Sequence, residues 1–147
     1  MALSFIIPGL DEVASEKIIG ILQERLSQEQ EAALVLKHAH WNVAGPNFIA
    51  VHEMLDPQVD EVLAMADETA ERIAALGGSP SGRPDDIVRY RTWDKFELEG
   101  RQNTLDYLRA LDKYYDSFIK AEPHRDQGAR RPRCDQLEHR AGSRAQA

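Results

Sequence analysis

The sequence predicts an all-α protein, an antiparallel bundle of long helices. Three observations carry this: three stretches with apolar residues at helical spacing, short connections bearing Gly and Pro, and no segment with the alternation of a strand. A chain of 147 residues favours one domain with one core. That domain is expected over residues 1–122, followed by a tail at 123–147.

The first helix is expected from about Asp11 to Trp41, where Ile18, Leu22, Leu26, Ala33 and Leu36 line one face. Asp11 suits the N-cap, because its carboxylate can take an otherwise unpaired amide proton of the first turn. Asn42 to Pro46 reads as a tight connection, with Gly45 free to take positive φ and Pro46 suited to the first position of the next helix.

The second helix is expected over Asn47 to Leu76, stopped by Gly77-Gly78 in the left-handed manner of a helix C-terminus. Pro57 falls inside it and lacks the amide proton for the bond to Glu53. The stripe Phe48, Val51, Leu55, Val59, Val62, Ala66, Ile73 nevertheless stays in phase through the proline, which favours one bent helix. A short helix is expected at Pro84 to Tyr90, after a Gly-, Pro- and Ser-rich loop. A third long helix, from Thr92 or Trp93 to Glu122, carries Leu98, Leu105, Leu108, Leu111, Tyr115, Phe118 and Ile119 and ends at Pro123.

Charge divides the chain. Residues 1–122 hold 12 Lys or Arg against 22 Asp or Glu, whereas residues 123–147 hold six Arg against three acids. The acidic body suits cation handling and repels nucleic acid, and the tail has the charge of a phosphate-binding arm. The tail has Leu137 as its only large aliphatic residue, so it is expected to be disordered and not a core helix. No apolar run is long enough to span a bilayer. The apolar start MALSFIIPGL has no basic flank and is broken by Pro8-Gly9, so no secretory signal is expected. Cys134 is the lone cysteine and can form no internal disulfide, which agrees with the cytoplasm.

Five side chains form a candidate metal set: His40, and His52, Asp56, Asp67 and Glu71 on the second helix. His52 and Asp56 are four apart, as are Asp67 and Glu71, so each pair faces one way on adjacent turns. The pairs point in nearly the same direction, but Asp56 and Asp67 are separated by about 16 Å along the axis, so one chain cannot close both on one ion. The spacings 52 to 71 and 56 to 67 share a midpoint between Glu61 and Val62. A two-fold axis there would set His52 and Asp56 of one subunit beside Asp67 and Glu71 of its mate. In a hairpin turning near residues 43–46, His40 lies roughly opposite His52. Two imidazoles and three carboxylates suit Fe(II), Zn or Mn, with redox iron the natural candidate. An acid pair at i,i+4 is by itself most often a solvated face, and a single histidine is more often packed than ligating, so spacing alone leaves both readings open. On the same grounds Trp41 is a core or interface aromatic, His38 is exposed, and Glu53, Glu61 and Glu68 are surface charges.

The run from His40-Trp41-Asn42 through Gly45-Pro46-Asn47-Phe48 to His52-Glu53 and Asp56, followed by Ala66-Asp67-Glu68 and Ala70-Glu71-Arg72, resembles the signature of the Dps family, the mini-ferritins that protect DNA in starved bacteria. The resemblance covers residues from about 5 to 120. It implies a ferritin-like four-helix bundle and maps the family's ferroxidase ligands onto His40, His52 and Asp56 of one subunit and Asp67 and Glu71 of the two-fold mate. It also implies a homo-oligomer, a hollow dodecamer that oxidises Fe(II) with hydrogen peroxide in preference to oxygen and stores ferric mineral. Trp41 would lie beside the iron site, where an oxidisable ring intercepts stray radicals.

The sequence departs from the family after residue 122, where the fourth long helix is expected and a basic tail stands instead. Arg125, Arg130, Arg131, Arg133, Arg140 and Arg144 can contact DNA phosphates. The abrupt shift to Arg, Pro, Gly and Ala resembles translation of a GC-rich gene in the wrong frame. Two rival readings therefore stay open: a nucleoid-binding structural protein without ferroxidase activity, and a truncated or frameshifted product without function.

Overall fold

The structure is a computed structural model and describes residues 11–120. The arginine-rich tail, Cys134 and the position of a fourth bundle helix lie outside the described residues.

Helix α1, Glu12–Asn42, starts where Asp11 accepts a hydrogen bond from the Ala14 amide at 2.8 Å. After it the chain reverses through Gly45 and Asn47, at φ of 87° and 62°. Gly and Asn tolerate this left-handed region best. The second of these turns keeps Pro46 outside the helix it was expected to open, and α2 spans Phe48–Ala75.

Helix α2 runs unbroken through Pro57. It stops in a Schellman motif: the Gly77 amide donates to Ala74 O and the Gly78 amide to Ile73 O, both at 2.9 Å, with Gly77 at φ 81°. Helix α3, Pro84–Tyr90, begins at its proline. The loop before it is pinned to α1, because the Gln23 side-chain amide exchanges two 2.8 Å hydrogen bonds with the Ser81 backbone.

The third long helix is shorter than expected. Residues 91–103 are not helical, and α4 spans Thr104–Lys120 among the described residues. Asn103 stops it from extending backwards: its side-chain oxygen accepts from the Asp106 amide at 2.9 Å, which caps the helix there. Gly100, at φ 66°, turns the chain just ahead of this cap. The non-helical segment buries Trp93 and half-buries Phe96 and Leu98 against the core, so the apolar residues that read as helix are used by irregular backbone.

No strand was expected, yet β1, Val43–Ala44, pairs in parallel with β2, Gln102–Asn103. The Thr104 hydroxyl adds a 2.9 Å bond to Pro46 O, so the start of α4 is latched onto the turn between α1 and α2.

One core joins α1, α2 and α4 around the fully buried Leu36, Leu55 and Tyr107, and a smaller one forms around Leu26, Ala66 and Ile73. The face that α4 buries carries Tyr107, Leu111 and Tyr114, whereas Leu105, Leu108 and Ile119 of the expected stripe are exposed. Ile18 and Phe48 are likewise more exposed than their helical phase suggested. No helix of the described residues is long and apolar enough to cross a membrane.

Candidate metal centre

His40 stands in the last turn of α1, and His52 in the second turn of α2. The turn at 43–47 folds the helices together so that the rings stack, with centroids 3.6 Å apart and an interplanar angle of 21°. His40 Nδ1 lies 2.8 Å from His52 O, and His52 Nδ1 lies 2.9 Å from His40 O. A carbonyl can only accept, so Nδ1 carries a proton in both rings, and the neutral form of each imidazole has its lone pair on Nε2. A backbone carbonyl bonded to one ring nitrogen in this way fixes the tautomer that presents the other nitrogen to a metal.

Asp56, one turn beyond His52, has Oδ1 at 3.3 Å from His40 Nδ1 and at 2.5 Å from Lys37 Nζ. The Lys37 hydrogen bond holds the Asp56 carboxyl below the usual carboxylate range, against the opposing effect of desolvation. Two imidazoles and a carboxylate are donor types that suit a divalent transition metal, with Asp56 turned here toward Lys37 and His40 Nδ1 and not toward the Nε2 lone pairs.

Asp67 and Glu71 are exposed farther along α2, and Trp41 next to His40 is also exposed. Asp67 is 11 residues from Asp56 on the same continuous helix, about 16 Å along its axis. One chain thus brings His40, His52 and Asp56 together and leaves Asp67 and Glu71 apart from them. Among the described residues of the single chain, no group of three or more His, Cys, Asp or Glu side chains is arranged to hold a metal ion.

His38 departs from its expected exposure. It is half-buried, with Nε2 at 3.0 Å from Leu98 O. Lys37 is the site residue that sequence reasoning missed. Its signal was available, because it lies one turn before His40 on the same face of α1.

The ferritin-like domain family matches residues 19–121 of the sequence. The chain belongs to the ferritin-like family. It is 50% identical over 117 residues to the "DNA protection during starvation protein" of Mycolicibacterium smegmatis, a match covering 80% of this chain and 63% of that relative. A solved structure, the tetragonal form of Mycobacterium smegmatis Dps, superposes with a TM-score of 0.76 at 49% identity, covering 80% of this chain and 72% of that one. A Haemophilus ducreyi protein named "Fine tangled pili major subunit" is 50% identical over 115 residues, 78% of this chain and 60% of its own. The chain therefore spans somewhat under two thirds of the length of these two curated relatives. In its ferritin-like frame α1, α2 and α4 supply three long bundle helices, with the His40 and His52 pair where the first two meet.

Proposed function

We propose that this protein is a ferroxidase, which oxidises Fe(II) with hydrogen peroxide and sequesters the ferric product as mineral. The observation that carries this reading is the reciprocal Nδ1 bonding of His40 and His52, which leaves both Nε2 lone pairs for a metal in a site whose carboxylate is already ionised. Fe(II) is the substrate. Two ferrous ions each give up one electron, and peroxide takes both with two protons, so that its O–O bond breaks into two waters and no hydroxyl radical is released.

The site is completed by a second copy. Because α2 continues through Pro57, Asp67 and Glu71 keep their phase to His52 and Asp56, and an antiparallel copy about a two-fold axis between Glu61 and Val62 supplies them in trans. Leu63 and Met65, exposed large apolar residues beside that midpoint, suit such a contact. Larger assembly into a dodecameric cage, a cytoplasmic location and protection of DNA follow from the same Dps reading. Trp41, exposed beside the site, serves as the ring that intercepts stray one-electron oxidants. The tail arginines from Arg125 to Arg144 bind DNA phosphates, so a gel shift lost steeply with added salt and abolished by truncation after Glu122 is expected.

The test is stopped-flow oxidation of anaerobic Fe(II) by peroxide. His52→Ala and Asp67→Ala each abolish the fast phase, and co-assembly of the two variants restores part of it, because mixed dimers contain one intact site. Normal rates in both single variants refute the site, and failure of the mixture to recover refutes its sharing between subunits.

A further inference from the structure

Lys37 has no place in the five-ligand scheme, yet it makes the shortest contact in the centre. Its ammonium lies 2.5 Å from Asp56 Oδ1, the same oxygen that lies 3.3 Å from His40 Nδ1. Asp56 is thus turned toward the protonated nitrogen of His40 and toward a tethered cation. The lone pairs available to a metal are on the other ring nitrogen, Nε2, because Nδ1 is committed to the His52 carbonyl. For Asp56 to join both imidazoles around one ion, its carboxylate has to leave Lys37. Both side chains are part-exposed, at 37% for Lys37 and 49% for Asp56, so solvent and incoming ions reach the pair.

Resting on the ferroxidase reading, we propose that Lys37 is a positioning and gating residue: it acts as the resident cation of Asp56, holding that carboxylate off the imidazole pair until a divalent ion displaces it. Attraction to a carboxylate scales with the charge of the cation, so an incoming dication outcompetes the ammonium, whereas a monovalent ion of equal charge has no such advantage over a cation tethered to the same fold. After displacement the ammonium stays near the loaded site and repels the ion it admitted. The resident pair therefore weakens divalent binding and favours release of the metal once it has been oxidised and hydrolysed.

The test uses Co(II), which peroxide-free buffer leaves unoxidised, titrated into the full chain and followed by visible absorbance and calorimetry. Lys37→Gln and Lys37→Met are expected to bind Co(II) about tenfold more tightly than the wild type, since each removes a competing contact and a nearby like charge. Lys37→Arg keeps the cation and is expected to stay within about threefold of wild type. In an Asp56→Asn background, removing the lysine charge is expected to change affinity less than about twofold, since the coupling needs both partners. Wild-type or weaker affinity in the two neutral variants overturns the gate, as does an undiminished gain in the Asp56→Asn background, which would mean a general field effect. His52→Ala separates this from the underlying reading: unchanged Co(II) affinity there refutes the metal centre itself, whereas lost affinity together with unresponsive Lys37 variants refutes only the gate.

Discussion

His40 and His52 hold each other by a crossed pair of hydrogen bonds, ring Nδ1 to backbone carbonyl in both directions, at 2.8 and 2.9 Å. The same pair of bonds joins the end of α1 to the start of α2 and selects the imidazole tautomer. Structure and chemistry are therefore coupled at these two residues, and a change at either disturbs both.

His52→Ala removes one crossed bond and leaves the His40 carbonyl without its donor, which costs about 1–2 kcal/mol of stability in urea unfolding as well as metal binding. In the wild type without metal, long-range ¹H–¹⁵N spectra should show both rings protonated at Nδ1. A proton on Nε2 in either ring contradicts the geometry.

Two buried carboxyls push stability in opposite directions with pH. Burial raises the Glu29 pKa above 4.5, outweighing a hydrogen bond from Thr69 and the nearby Arg25, and one of its oxygens has no partner. Glu29 thus binds its proton more tightly when folded, so its contribution to stability falls as pH rises from 4.5 through the folded value. Glu29→Gln is expected to raise Tm at pH 7 and to flatten that slope. Asp86 behaves oppositely. The Ser81 hydroxyl, then Arg83, holds its carboxyl below 3.8, and this stabilisation is complete above 3.8 and lost as pH falls through the folded value. Asp86→Asn should cost about 1–3 kcal/mol at pH 7, with the difference shrinking in acid. Thermal melts from pH 3 to 8 decide both.

The core centred on Leu55 and Tyr107, both fully buried, predicts unequal losses. Leu55→Ala leaves a cavity between α1 and α2 and should cost about 3–5 kcal/mol. Tyr107→Phe keeps the ring and loses the 2.6 Å bond from its hydroxyl to Gly100 O and a long 3.4 Å contact with His38 Nε2, for about 1 kcal/mol. Equal effects in urea unfolding would contradict this packing.

Two glycines should respond with opposite sign. A Cβ on Gly78 would come within 2.9 Å of Ile73 Cγ2 and 3.0 Å of Ile19 Cγ2, so Gly78→Ala is expected to destabilise by about 1–3 kcal/mol. Gly20 sits inside α1 with nothing within 4 Å of its Cβ position, so Gly20→Ala should stabilise by about 0.5–1 kcal/mol. Paired thermal melts check the contrast.

Local rules made much of the helical frame legible. Asp11 caps α1, Pro84 opens α3, and Gly77-Gly78 close α2, because each is a property of a few adjacent residues and their own backbone groups. The opposition of His40 and His52 was also readable, since a short turn between two helices leaves little freedom in where their facing ends meet. The segment from Trp93 to Asn103 carries helical apolar spacing without being helix, because such spacing records that side chains are buried and not which backbone buries them. Trp93, Phe96 and Leu98 reach the core from irregular chain.

The sequence alone determined the all-α class, the resemblance to Dps and the candidate ligands, since periodicity, caps and motif spacing are written in chain order. Only the tertiary structure decided that Nδ1 of each histidine is spent on the other's carbonyl, that Lys37 holds Asp56, and that Asn103 starts α4 where it does. The first two of these depend on the distance and direction between atoms on different helices. The third depends on a cap that wins over a continuing apolar pattern once the preceding segment is packed elsewhere.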